Sequence, residues 1–244
     1  MKYFRQISIL CLVLTSAPAW SAIIYSISSR DQITEYNLES GVSSMFSAPV
    51  GYSGGLAYGN GVLFAVTGQS GAEITAIDLD TMVSTSIALP SDASGGLAYG
   101  DGVLYVNSSR DELITYDLAS GVSAITAAPI GFNGGLAYGD GVLYSQSSRD
   151  QITTYDPIEG TSTTFSAPVG FQSGLAYGDG ILFAKSGRDV ITAYNLSTGT
   201  SNTFDAPVGF YGGMAYAAVP IPAAVWLFGS ALAGLGWMRQ RKIA

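Results

Sequence analysis

The chain contains no histidine, and its one cysteine, Cys11, lies among the first 22 residues, a segment read below as removed on export. The mature domain therefore has no Ser-His-Asp triad, no histidine-ligated metal and no thiol nucleophile. It has no disulfide either, although an exported protein could carry one. Charge is scarce, at 11% of residues. Between residues 23 and 216 stand all 18 acidic side chains but only five basic ones, Arg30, Arg110, Arg149, Lys185 and Arg188, a net charge of −13. Such a domain is a poor match for nucleic acid or anionic lipid. No Asp-x-Asp-x-Asp-Gly string offers a calcium loop, and nothing points to a cofactor. No Trp-Asp dipeptide marks WD repeats, and the Trp of a kelch repeat is absent. Apart from the two ends, the chain has no helix-like apolar period.

What is present is Gly, Tyr, Phe and small hydroxyl residues, arranged in repeats. The stretch Gly174-Leu175-Ala176-Tyr177-Gly178-Asp179-Gly180-Ile181-Leu182-Phe183 has near-copies at 55–64, 96–105 and 135–144, and a truncated fifth at Gly213-Met214-Ala215-Tyr216. Each full copy reads as strand, tight Asp-Gly or Asn-Gly turn, strand, because such pairs adopt the positive φ angles of type I′ hairpins. Units begin at Ile23, Val62, Val103, Val142 and Ile181, a period of about 39 residues made only of strand signals. Unit four gives strands at 142–147, 151–155, 161–166 and 173–177.

Four antiparallel strands per unit form the blade of a β-propeller. The Gly-Leu-Ala-Tyr strand suits the innermost place, a, where backbones crowd round the axis. The first unit lacks strand a, and the last ends in an unpaired one. The two remainders complete one another, so strands b, c and d from residues 23–48 join strand a from 212–217. The expectation is an all-β, five-bladed propeller over 23–217, closed by its C-terminal strand, with an open β-solenoid or a longer propeller assembled from two chains as the rival arrangements. The strand c phrase Ile191-Thr192-Ala193-Tyr194-Asn195-Leu196-Ser197-Thr198-Gly199 resembles that of YVTN and quinoprotein-like bacterial propellers, which implies fold and not activity.

Two residue series read as blade-to-blade packing: Tyr25, Phe64, Tyr105, Tyr144, Phe183, and Tyr36, Ile77, Tyr116, Tyr155, Tyr194. Asn37, Asp78, Asp117, Asp156 and Asn195 read as turn formers. Turns a–b and c–d share one face of the disc, and loops b–c and d–a share the other. The second face holds Arg30-Asp31, Arg110-Asp111, Arg149-Asp150 and Arg188-Asp189 in its b–c loops, and Tyr52, Phe132, Phe171 and Phe210 in its d–a loops. In unit two the b–c loop is longer and Ala93 replaces the aromatic. Rings beside guanidinium and carboxylate groups suit a glycan. The competing reading makes each Arg the partner of a neighbouring Asp and each ring a plug between blades. Five-bladed lectins resemble the arrangement in outline only.

The ends carry addresses. Lys2 and Arg5 precede the apolar run 7–14, and Ala17-Pro18-Ala19 and Ser21-Ala22 follow. Residues 1–22 are thus expected to be a signal peptide, cleaved after Ala19 or Ala22, and read by the secretion machinery. Residues 219–238 are apolar and uncharged and precede Arg239, Arg241 and Lys242, the pattern of a transmembrane helix with its basic end in the cytoplasm. Within the tail, 218–244, the run Val219-Pro220-Ile221-Pro222-Ala223 and the following Trp226-Leu227-Phe228-Gly229-Ser230 resemble the PEP-CTERM sorting signal in its Val-Pro-x-Pro-Ala form. Ile221 stands where the commoner motif has Glu. The resemblance implies Gram-negative export, an exosortase as membrane partner, and association with exopolysaccharide or biofilm matrix.

Three functions follow as expectations. The first is a non-catalytic binding or scaffold protein of the cell surface or matrix, with a glycan as ligand. The second is a lyase or glycosidase using two carboxylates, for which the unrepeated Glu35, Glu73, Asp92, Glu112 and Asp205 are the candidates. The third is a protein-interaction module.

Overall fold

The computed structural model describes residues 22–50, 54–67, 73–93, 95–109, 111–128, 135–168, 174–209 and 212–218. Among them are 20 strands in five four-stranded antiparallel sheets. Blade two holds β4 (Leu56–Gly59), β5 (Val62–Thr67), β6 (Glu73–Asp78) and β7 (Ser84–Ala88). Blade three holds β8 (Leu97–Gly100), β9 (Val103–Ser109), β10 (Glu112–Asp117) and β11 (Ser123–Ala127). Blade four holds β12 (Leu136–Gly139), β13 (Val142–Ser148), β14 (Gln151–Tyr155) and β15 (Ser162–Ser166). Blade five holds β16 (Leu175–Gly178), β17 (Ile181–Gly187), β18 (Val190–Asn195) and β19 (Ser201–Asp205). Blade one is composite, with β1 (Ala22–Ser29), β2 (Gln32–Asn37) and β3 (Ser43–Ser47) completed by β20 (Met214–Ala218).

The expected closure is therefore observed. β20 pairs with β1 from Ala22 opposite Ala218 to Ser26 opposite Met214. The five innermost strands, β4, β8, β12, β16 and β20, touch one another round the axis. At the blade one–two seam Gly213 N–H donates to Gly54 O at 2.8 Å. A Cβ on Gly213 would lie 2.2 Å from the Leu56 nitrogen, so only a residue without one lets the backbones meet there.

The core lies in the seams, one apolar cluster between each pair of blades. In every seam an innermost-strand Tyr stacks on the strand b aromatic of the preceding blade. The pairs are Tyr58–Tyr25, Tyr99–Phe64, Tyr138–Tyr105, Tyr177–Tyr144 and Tyr216–Phe183, with centroids 5.5 to 6.0 Å apart. Such pairs contribute about 0.5–1.5 kcal/mol each beyond the area they bury. Four of these Tyr hydroxyls also bond across the seam. Tyr138 donates to Asp101 and Tyr216 to Asp179, both at 2.5 Å, Tyr177 donates to Asp140, and Tyr99 accepts from Asn60 Nδ2 at 2.8 Å. The a–b turn Asp or Asn thus does two tasks. It adopts a left-handed φ of 51–53° in its turn and holds the next blade's ring.

The c–d turns form as the sequence implies. The Asn37 side-chain oxygen accepts from the N–H groups of Glu39 and Ser40, Asp156 from Ile158 and Glu159, and Asn195 from Ser197 and Thr198. Bonds from Thr81 and from Ser120 hold the Asp78 and Asp117 carboxyls below the ordinary aspartate range. No described helix is long and apolar enough to cross a membrane. The expected signal peptide at 1–22, all but Ala22, and the expected helix at 219–238 lie outside the described residues.

Candidate functional site

The b–c loops and the starts of the d–a loops share one end of the disc. The chain folds locally there because the b–c Asp serves with its backbone. Asp31, Asp111, Asp150 and Asp189 each offer a carbonyl to an amide just past strand d, Ala48, Ala128, Ala167 and Ala206, at 2.7 to 3.0 Å. Asp31 and Asp150 take a left-handed φ near 55°, which Asp tolerates better than most residues. Ser29 and Ser148 donate to the Gln32 and Gln151 side-chain oxygens at 2.6 Å, bracing the two equivalent loops.

That leaves the side chains turned outward. Arg30 Nε lies 3.7 Å from Asp31 Oδ2, Arg149 the same distance from Asp150, and Arg188 3.9 Å from Asp189. Arg30, Arg149 and Arg188 each meet the Asp of their own loop. The Arg side chains are 66–70% exposed, and such pairs stabilise by only about 0–1 kcal/mol. Asp189 Oδ1 also accepts from Gly209 N–H at 3.2 Å, tying the b–c loop of blade five to the segment that leads into β20. Arg110 and the four candidate rings, Tyr52, Phe132, Phe171 and Phe210, lie outside the described residues.

Beneath this face is a series that the sequence reading passed over. One strand b position holds Ile27, Val66, Asn107, Gln146 and Lys185 in blades one to five. Its backbone N–H donates to the innermost strand's leading glycine in each blade, at 3.1 to 3.4 Å. Blades one and two place aliphatic groups there, and blades three to five place two amides and an ammonium, all buried. Lys185 is 1% exposed. Burial pushes its pKa down to about 8, and the nearby Asp189 only partly opposes this. A Cβ added at Gly174 would lie 3.3 Å from Met214 Cγ and 3.5 Å from Lys185 Cβ, so the start of β16 runs close to both side chains. The sequence did carry the clue, a polar residue at an aliphatic position of a packed strand, repeated in three consecutive blades.

The five unrepeated acids are distributed over different elements. Glu35 is on blade one, Glu73 on two, Glu112 on three and Asp205 on five, and Asp92 is exposed in a connecting loop. Among the described residues no group of three or more acidic side chains could hold a metal ion. The axial channel, lined by the Leu or Met, Ala and Tyr residues of the innermost strands, has a volume of about 40 Å³. That is room for a very few waters and not for a sugar ring.

Comparison with known proteins bears on the fold. A family model described as outer membrane protein assembly factor BamB matches residues 59–163, the end of β4 through β15. No curated protein sequence is detectably similar to the chain. Among solved structures, the glutaminyl cyclase of Myxococcus xanthus is similar with a TM-score of 0.52 and 20% identity, over 67% of this chain and 70% of that one. At that identity the likeness shows a shared propeller architecture.

Proposed function

We propose that this protein is a non-catalytic binding propeller, exported and carried to the cell surface or matrix by its C-terminal signal, with its loop face as the reading surface for an acidic or neutral exopolysaccharide. One observation supports this above the rest: β20 ends at Ala218 on the turn face, so the apolar tail from residue 219 leaves opposite the Arg–Asp loops. A tail that enters a membrane there directs Arg30, Arg149 and Arg188 away from the bilayer. Guanidinium groups with 66–70% of the side chain exposed can bind sugar hydroxyls or uronate carboxylates in pairs.

The sorting step rests on the Val219-Pro220-Ile221-Pro222-Ala223 motif and its resemblance to substrates of an exosortase. The test has two parts in the native host. Mass spectrometry of the mature C-terminus reports processing, and Pro220→Ala with Pro222→Ala is expected to leave the full chain in the inner membrane. For the face, Arg30→Ala, Arg149→Ala and Arg188→Ala together are expected to weaken binding to the host's own exopolysaccharide about tenfold or more, as loss of charge-assisted hydrogen bonds requires. Unchanged retention by that polysaccharide removes the glycan reading. Recovery of a protein alone from intact cells replaces it with a protein-interaction role.

A further inference from the structure

The exposed apolar side chains of the disc are not scattered. The large ones among the described residues are Val42, Met45, Met82, Val83, Val122, Ile125 and Ile158. Five of the seven sit on c–d turns, and Met45 and Ile125 lie on the outer strands next to them. Val122 is 63% exposed and Ile158 91%. These turns share a face with the end of β20. On blade five the matching turn carries Ser197, Thr198 and Thr200, all exposed and polar. The repeat can therefore be built without aliphatic turn tips, and blades one to four carry them.

Met82 makes the same point more sharply. In four blades the corresponding residue is glycine, Gly41, Gly121, Gly160 and Gly199, with φ of 67–70°. Met82 adopts φ 58° at this place, a conformation that an L side chain takes up only at some cost. Its side chain is half-exposed, so it gains little by burial in the free protein. A strained backbone that holds an apolar side chain out to solvent is unfavourable for folding on both counts.

The geometry points to the turn face as a surface that rests on the lipid bilayer, with the c–d tips of blades one to four in the interfacial layer. This rests on the reading of the tail as membrane-entering. It adds that the domain lies flat on the membrane instead of hanging free below it. Chain length argues for the occupant. The apolar run begins at Val219, immediately after the last residue of β20, so no linker separates disc from bilayer. Charge refines the lipid. The turn face carries Glu39, Asp78, Asp80, Asp117, Asp156 and Glu159 in c–d turns and Asp101, Asp140 and Asp179 in a–b turns, while the described basic residues lie in b–c loops or are buried. Zwitterionic headgroups suit it, and anionic ones repel it at low salt.

The test uses the full chain with Cys11→Ser, reconstituted through its tail in phosphatidylcholine vesicles. An environment-sensitive dye is placed at Val122→Cys, Ile158→Cys or, on the loop face, Gln151→Cys. Shallow spin-labelled lipid is expected to quench the first two at least about threefold more than the third, as apolar side chains seated at the interface require. Phosphatidylglycerol vesicles at low salt are expected to reduce the difference, and added salt to restore it. Val42→Thr, Val83→Thr and Ile158→Ser in one chain, with the dye at residue 122, are expected to reduce the quenching without lowering the melting temperature. Met82→Gly is expected to raise the melting temperature by a few degrees while reducing the quenching.

Equal, weak quenching at all three dye sites in vesicles that do carry the protein overturns the flat placement alone. A chain that fails to float with vesicles overturns the tail reading and this one together. Dyes shielded in native membranes but not in lipid vesicles also overturn it, and assign the face to a membrane protein instead.

Discussion

Lys185 is a buried ammonium in a domain with little positive charge, and its titration should be visible in stability. Its ordinary pKa is 10.5 and burial lowers it to about 8 in the folded chain. Below pH 8 both states are charged and the folded state bears the whole cost of the buried charge. Between pH 8 and 10.5 the folded chain has released the proton while the unfolded chain retains it, so stability rises with pH. Tyr25, held up at about 12, and Tyr138, Tyr177 and Tyr216, all raised, act in the opposite sense. For each of them desolvation is the first cause, followed for the last three by the bond to an Asp. The unfolded chain loses those protons from pH 10, so stability falls above it. The urea midpoint is expected to climb from pH 7 to a maximum near pH 10 and then drop, with a rising arm of at most about 3 kcal/mol. Lys185→Met should remove that arm, and a wild-type midpoint flat across it would show that Lys185 carries no such cost. At this scale the sequence was legible where one residue type has one local task, as with the c–d turn Asn and Asp. It was not legible for Lys185, because a strand pattern does not reveal which polar residue lies under a loop.

The element that repeats most strictly is the innermost strand with its turn, and it is also where one blade locks to the next. Tyr138 rests against Gly100 so closely that a Cβ there would lie 1.9 Å from a ring carbon. Gly100→Ala must displace the ring, and with it the stack on Tyr105 and the bond to Asp101. A loss of about 1–3 kcal/mol is expected from overpacking, read as a lower denaturant midpoint with unchanged slope. The hydroxyls offer a finer contrast. Tyr177→Phe removes the bond to Asp140 and should cost about 0.5–1.5 kcal/mol. Tyr58→Phe should cost almost nothing. Blade one has no a–b turn, since the chain's two ends stand in its place, and no bond to the Tyr58 hydroxyl is found among the described residues. Equal losses for the two variants would mean that the hydroxyls do not act through the turn acids. The strands, their order and their pairing were legible because the period recurs with matching hairpin chemistry. The inter-blade Tyr–Asp bonds were not, since they join residues 37 apart that each look sufficient as strand or turn alone. The partners of the b–c arginines were open for a different reason, as spacing alone does not separate a contact within one loop from one between blades.

At the scale of the molecule, five blades become a ring only through β20. Without it β1 would present an open edge on its inner side, and the seams of blade one with blades two and five would lose Met214, Ala215 and Ala217 from their cores. A chain stopped after residue 211 is expected to lose cooperative unfolding and to be cleaved quickly by protease, while one stopped after Ala218 should keep both properties. If the shorter chain melted like the longer one, the ring would owe little to its closing strand. The disc was legible in the sequence because the leftover strand at one end matches the gap at the other. A ligand for its loop face was not, since repeated Arg-Asp pairs and rings in loops serve packing between repeats as well as binding.

That closing strand also sets a timetable. Roughly 170 residues are synthesised after Ser47 before Met214 appears, which at ordinary ribosomal speed is about 10–30 s. Through that interval β1 waits with one side unmatched, while blades two to five each gain all their strands in turn. The final rung is laid only when Met214–Ala218 arrive, immediately before the apolar stretch that begins at Val219. The ring therefore shuts last, and no partial product of synthesis is a closed circle.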